Sequence, residues 1–475
     1  MSFNRILRSS ALMGGAQVVV LAAGFIRAKA IAVTLGASGV GLIGIFNAFS
    51  GNISSFAGWG LGISGVRLVA GANVEQRSSK IAAVRRMGWM LSLLGLALAL
   101  ILFWPVGSAT FDSSKYAIEM GIVACAVPCV IVSSAWSAIL QASGKIASLA
   151  KVQISAALTG LLLGLPAIYF WGTIGIATSI FLAAAVPASV LWRAAKNLDP
   201  ADVGGKANLA DLRNLLKLGG ALMVIGWLGQ LSAYVVRLAI VRHEGLDAAG
   251  YYHAAYALSG SLPGFIFAAM GADFFPRVAA AKDEEEARQV TETQIKAGLL
   301  LGAPLVMGLL TLGKFCLHLL YDSSFDKALP MLAWITWAIF IRLMTWPLGF
   351  WLLARGSSRL VILLEAVGAL IGALLPILFI GRFGLISAAI AVTASSAVYG
   401  IAVAVVFRVK TGGWFRLELH IWAIVLAAIL AAGQWWAAGQ ANDYAGCVPV
   451  ALVAIACVLL YRYQMRKAAF TGTES

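Results

Sequence analysis

The chain is built from long, unbroken apolar runs separated by short polar or charged breaks. Dividing it at those breaks predicts membrane-spanning helices near residues 10–33, 40–66, 87–108, 118–140, 152–171, 174–192, 218–241, 250–275, 296–320, 329–354, 360–380, 385–407, 419–437 and 447–463. Each run reaches or approaches the ~20 residues that a helix needs to cross hydrocarbon. Runs alternating every second residue over about ten positions would indicate a barrel, and none is present, so helices satisfy the backbone here. The pattern predicts an all-α integral membrane fold with about 14 transmembrane helices.

Composition agrees. Of 475 residues, 61% are hydrophobic and 12% charged, and the mean hydropathy is +0.90. The net charge of +15 invites a nucleic-acid reading, but its distribution argues against one. With the N-terminus inside, and with charges at span ends assigned to the side they adjoin, the inner side holds 26 Lys and Arg, the outer side 5 and the span interiors 4. That asymmetry is the positive-inside signature, and a missed or extra span would scramble it. The expected protein is therefore multi-pass, with both termini cytoplasmic, its basic loops facing an anionic leaflet and binding no nucleic acid. The five cysteines read as small buried apolar residues. Neither they nor the four histidines have metal-ligand spacing. No metal, cofactor or nucleotide-binding motif is expected.

Two halves resemble each other at an offset of 209–212 residues. Gly41-Leu42-Ile43 leading to Phe49-Ser50-Gly51 parallels Gly250-Tyr251-Tyr252 leading to Leu258-Ser259-Gly260. Gly144 parallels Gly356, and Gly172-Thr173-Ile174-Gly175 parallels Gly381-Arg382-Phe383-Gly384. Six helices per copy leave both copies in one orientation. The organisation predicted is a six-helix lobe over 1–196, an inter-lobe loop over 197–217, a second lobe over 218–410, and helices 13 and 14 with a tail over 411–475. Transporters place substrate between such lobes.

Charges inside spans are costly and mark function. Arg342 lies midway along the tenth span, and Arg27 and Lys29 lie well into the first. Arg237 lies toward the outer end of the seventh, near-equivalent to Arg27 in the repeat. These four form a candidate binding set for an anionic substrate, since a guanidinium fork suits phosphate. If the first and seventh spans line one cleft, Arg27 and Arg237 look into it together. Glu365 and Asp273 are candidate proton or gating sites, or else ion-pair partners, Glu365 of Arg359 or Arg355 and Asp273 of Arg277 at i, i+4, with Arg277 and Arg359 as further coupling or gating candidates. Asp283-Glu284-Glu285-Glu286 reads as a solvated loop.

Several stretches prompt a comparison. Gly24-Phe25-Ile26-Arg27-Ala28-Lys29 running to Leu35-Gly36-Ala37-Ser38-Gly39-Val40-Gly41, then Asp273-Phe274-Phe275-Pro276-Arg277, then Ala354-Arg355-Gly356-Ser357-Ser358-Arg359 followed by Glu365, resemble Wzx-type translocases. These belong to the polysaccharide-transporter branch of the multidrug/oligosaccharidyl-lipid/polysaccharide (MOP) flippase superfamily. Arg342 falls where such proteins often carry a Lys, while Ile339 stands where an acid often occurs. The resemblance implies a non-enzymatic flippase of the bacterial inner membrane. Its substrate would be undecaprenyl-diphosphate-linked oligosaccharide for O-antigen or enterobacterial common antigen, moved by an ion gradient. Partners would be membrane lipids and a polymerase or chain-length complex. Two other classes compete. A drug or metabolite exporter would favour acids in its cavity, and a membrane glycosyltransferase or ligase would carry paired acids in a large outer loop.

Overall fold

In hydrocarbon every backbone N–H and C=O needs an internal partner, so the apolar runs form helices. The computed structural model describes residues 3–112, 114–195, 205–413, 415, 417–439 and 446–471. Its helices are α1 (Phe3–Ala57), α2 (Leu61–Ala70), α3 (Val74–Phe111), α4 (Ala117–Ala142), α5 (Ile146–Leu162), α6 (Gly164–Ala195) and α7 (Leu209–Ala280). Then come α8 (Glu284–Thr311), α9 (Gly313–Leu320), a 3-10 turn (Ser323–Ala328), α10 (Leu329–Ala354), α11 (Ser358–Phe383), α12 (Ile386–Thr411), α13 (Leu417–Ala438) and α14 (Cys447–Thr471). Among the described residues, ten helices are long and apolar enough to cross a membrane. Three of the long ones are folded back by a single glycine: α1 at Gly36, α6 at Gly172 and α7 at Gly245. With those breaks and the shorter apolar helices, the architecture is consistent with fourteen spans.

The breaks sit where the repeat puts them. Gly36 and Gly245 have φ of 65° and 85°, Gly144 and Gly356 of 68° and 74°, Gly172 and Gly384 of 57° and 65°. A left-handed φ costs L-residues roughly 1–2 kcal/mol, which glycine avoids. The members of the pairs are 209, 212 and 212 residues apart, within the range that relates the two sequence copies, the last break falling at Gly384, three residues beyond the Gly381 that parallels Gly172 in sequence. Next to the first pair, the second legs of α1 and α7 cross in a reciprocal contact. A Cβ on Gly250 would strike the Ala37 carbonyl, and one on Gly41 would strike the Leu246 carbonyl. Small residues here let two backbones touch directly.

The structure divides into two compact units, Met1–Gly250 and Tyr251–Ser475. The sequence division follows the repeat instead, with its loop at 197–217. Residues 196–204, including Pro200 and Gly204 in that loop, lie outside the described residues. The two divisions differ because the first leg of α7 is fastened at points spread along it to α1, to Trp59 just after α1, and to α3. Ser79 Oγ donates to Asp211 Oδ2 at 3.2 Å, and Trp59 Nε1 to the Leu216 carbonyl at 2.9 Å. Asn52 Nδ2 donates to the Gln230 carbonyl at 2.8 Å. The Thr110 and Tyr234 hydroxyls meet at 2.6 Å, and Arg242 Nε donates to the Ala109 carbonyl at 2.7 Å.

Three local features depart from the sequence reading. The second span is not one helix to residue 66: it breaks at Trp59 and Gly60, whose φ of 48° and 61° open the new helix α2. The acidic run is exposed but is not a loop. Asp283 caps α8, accepting from Glu286 N at 2.7 Å, while Glu286 Oε2 accepts from Lys282 N at 2.7 Å, a capping-box arrangement. Arg355 joins this corner through Glu284 at 3.4 Å and the Asp283 carbonyl at 3.1 Å. Of the five cysteines only Cys457 is buried, and Cys125 and Cys447 are exposed on α4 and α14. A bilayer covers an apolar helix face as well as protein does, so apolar residues here need no burial in the protein.

Gly250→Leu and Gly41→Leu are each expected to lower the thermal unfolding midpoint in detergent by several degrees, since the backbones must part to admit the side chain. Gly229→Leu, on a glycine with open space around it, is the matched control and should unfold near the parent temperature.

Candidate functional site

In the first unit, Arg27 faces a cavity of about 320 Å³. Gln17, Val20, Gly24 and Arg27 recur every three or four residues along the first leg of α1 and form one face. Gln153, Ala156, Ala157 and Gly160 do the same on α5, and Ala183 of α6 completes the lining. Small residues hold the walls back. A Cβ at Gly160 would come within 3.6 Å of Arg27 Nη1, so the guanidinium lies directly over that glycine. Gln17 Nε2 donates to Gln153 Oε1 at 3.3 Å across the space. Arg27 lies nine residues before the Gly36 turn, or about 13 Å at 1.5 Å per residue. Among the described residues no carboxylate pairs with it. The cavity is mostly apolar and small-residue lined, with the Arg27 guanidinium and the two glutamine amides as its polar groups; a guanidinium so placed has the chemistry to pair with an anion.

The other candidates are placed differently. Lys29 is about 200° around the helix from Arg27 and does not line this cavity. Neither does Arg237, which is 6% exposed and donates Nη1 to the Ala233 carbonyl of its own helix at 2.8 Å. In the second unit Arg342 is exposed midway along α10. Tyr399 of α12 has both Arg342 and the Glu365 carboxylate of α11 as electrostatic neighbours, and its hydroxyl faces Glu365. Close helix approach makes this meeting possible. Ser395 Oγ donates to the Gly368 carbonyl at 2.6 Å, and a Cβ at Gly400 would come within 2.7 Å of Thr345 Cγ2. Arg355, a possible partner for Glu365 by sequence, is engaged at Glu284 instead. Arg359 and Arg277 are exposed near helix ends. The Asp273 side chain lies outside the described residues.

Tyr399 of the second-unit group, and Glu119, which lies in neither site, escaped the sequence reading. Tyr399 carries no charge and sits among ordinary aromatic positions; the nearest signal is the polar run Thr393, Ser395 and Ser396 before it. Glu119 is 5% exposed and accepts a hydrogen bond from the Thr173 hydroxyl at 2.7 Å. An acid in the first turn of a helix is a common start signal, so its burial was invisible in the pattern. Among the described residues no cluster of His, Cys, Asp and Glu could hold a metal.

The fold and this set of breaks define a multi-pass membrane protein with the architecture of MOP-superfamily transporters. A structure of the lipid II flippase MurJ in an inward closed conformation superposes with a TM-score of 0.75 at 14% identity, covering 98% of this chain and 100% of that one. A multidrug resistance MATE transporter in an inward-facing conformation gives 0.71 at 14% identity, over 83% of this chain and 98% of that one. A MOP-superfamily transporter from Pyrococcus furiosus, described as having a binding pocket of reverse polarity, gives 0.62 at 13% identity, over 85% and 95%. These neighbours are transporters and flippases, not enzymes. By sequence the chain belongs to the polysaccharide biosynthesis protein family, whose profile matches residues 6–282. Among curated proteins no sequence matches.

Filling the Arg27 cavity should remove anion binding without removing the charge. If the cavity takes an anion, inorganic pyrophosphate is expected to raise the unfolding temperature of the parent protein, Gly160→Leu to abolish that rise, and Arg27→Gln to weaken binding about tenfold or more, as loss of a charged hydrogen bond implies. Titrations followed by thermal unfolding in detergent check both.

Proposed function

We propose that the chain is a flippase for undecaprenyl-diphosphate-linked oligosaccharide repeat units, carrying them from the cytoplasmic to the periplasmic leaflet of a bacterial inner membrane. The observation that carries this reading is the Arg27 guanidinium, held over Gly160 in a cavity edged by two glutamines and lacking a carboxylate partner among the described residues. Guanidinium binds a diphosphate in paired hydrogen bonds, and the glutamine amides suit sugar hydroxyls. Membership of a polysaccharide biosynthesis family and likeness to a lipid II flippase support the same substrate class.

In this proposal Arg27 is the principal diphosphate contact. Lys29, Arg237 and Arg342 add positive potential along the transport path. Glu365, steadied by Tyr399, takes and releases the driving ion, with Asp273, Arg277 and Arg359 as gating groups. Both termini lie in the cytoplasm, transport runs by alternating access, and a polymerase or chain-length complex receives the product. The likeness to a MATE transporter favours a drug exporter as the second reading, but an unpaired arginine in the cavity repels the organic cations such a protein would carry.

The test is complementation of strains lacking individual repeat-unit flippases, with lipid-linked intermediates analysed by leaflet. The parent chain is expected to restore outer-leaflet intermediates in one strain. Arg27→Ala should leave them on the inner leaflet although the protein inserts normally, and Arg27→Lys should restore transport in part. Full complementation by Arg27→Ala would sink the anionic-substrate reading. A smaller prediction concerns coupling: Tyr399→Phe should shift the pH dependence of flipping measured in proteoliposomes while leaving pyrophosphate binding at Arg27 unchanged.

A further inference from the structure

The seam that fastens α7 to the first unit is not closed along its length. Its hydrogen bonds at Leu216 and Tyr234 are 18 residues apart, or about 27 Å of helix, close to the ~30 Å thickness of membrane hydrocarbon. Between them lies a crevice of about 330 Å³. Phe49 and Phe56 of α1 line one side, Leu102 of α3 a second, and Trp227, Leu231 and Tyr234 of α7 the third. The Phe56 and Trp227 rings meet at 5.2 Å between centroids, forming its aromatic end.

We infer that this crevice holds an acyl chain of a bilayer phospholipid. The lining decides the chemistry. Asn52 spends its amide hydrogens on the Ala48 and Gln230 carbonyls at 3.2 and 2.8 Å, and the Tyr234 hydroxyl is engaged with Thr110. Asn52 Oδ1 is left without a partner, but a bound water needs two to four polar partners, and this one free acceptor in an otherwise apolar lining falls short of that. An empty cavity of this size forfeits dispersion contacts on every wall. The crevice also opens onto an exposed apolar face of α3, the kind of surface a bilayer covers. On α3, Leu102 is 37% exposed, and Leu94 and Ile101, within about 100° of it around the helix, are 45% and 68% exposed. A polyprenyl diphosphate is the poorer occupant, because no Lys or Arg lines the space and none of its lining residues is shared with the Arg27 cavity. The acyl chain completes the packing of α7 against α1 and α3 where protein side chains leave a gap. The phospholipid is thus a structural part of the seam, and chain composition tunes how firmly α7 is held.

Native mass spectrometry of the full chain, purified in mild detergent, tests this. The parent protein is expected to retain one phospholipid. Leu231→Trp and Val106→Phe, each filling the crevice, should lose it, while Leu93→Trp on the open face of α3 keeps it. As a second measurement that needs no filled variant, benzoylphenylalanine at Leu102 should crosslink to a phospholipid acyl chain that survives detergent extraction. Four results would overturn the proposal: no retained lipid in the parent, equal retention in folded filled variants, no acyl adduct at position 102, or a retained or crosslinked molecule that is a polyprenyl lipid.

Discussion

The cost of an unpaired backbone group in hydrocarbon governs this protein throughout. A chain that must turn at the edge of a bilayer has few residues in which to do it, and the turn has to leave no amide stranded. The solution used here is a single glycine at left-handed φ, which lets one helix end and the next begin almost without a loop. Gly36, Gly172 and Gly245 do this inside helices otherwise continuous in hydrogen bonding. Because the same device recurs at the same offset in both copies, it also sets which residues come to meet. Gly41 and Gly250 face each other's backbones because both come five residues after such a turn.

The same logic explains what could be read from the amino-acid pattern. Spans and the repeat are encoded in apolar runs and glycine positions, so they are visible residue by residue. The asymmetric features are not. The Trp59 break has no glycine turn in the other copy to predict it, and a bulky residue at positive φ is stabilised only by its surroundings, here the Leu216 carbonyl and the close backbone of Gly219. The fastening of α7 to α3 depends on hydroxyl and carbonyl groups such as Thr110, Tyr234 and Ala109, which carry no distinctive pattern. Tyr399 and Glu119 were missed for a related reason. Their roles come from what neighbouring helices bring to them, and helix neighbours are set by packing that no local window contains.

Arginine provides the clearest contrast between residue type and environment. Arg27 and Arg237 occupy near-equivalent places in the two copies, and composition alone treats them alike. Arg237 is packed tightly and turns its guanidinium back to a carbonyl one helical turn earlier. Arg27 has glycine and alanine opposite it, so its hydrogen-bonding edge faces open space. The difference lies in the side chains across from each arginine, Gly160 and Ala157 above all. A charge in the membrane becomes available for binding when its neighbours are too small to occupy it.

The fastening of α7 also bears on biosynthesis. In the sequence repeat this helix would open the second copy, yet its hydrogen-bond partners, from Ser79 to Thr110, lie on the first. On a ribosome those partners are inserted long before the second copy is complete. The first leg of α7 therefore has a docking seam waiting as it emerges, and a unit ending at Gly250 can finish packing while the remaining spans are still being translated.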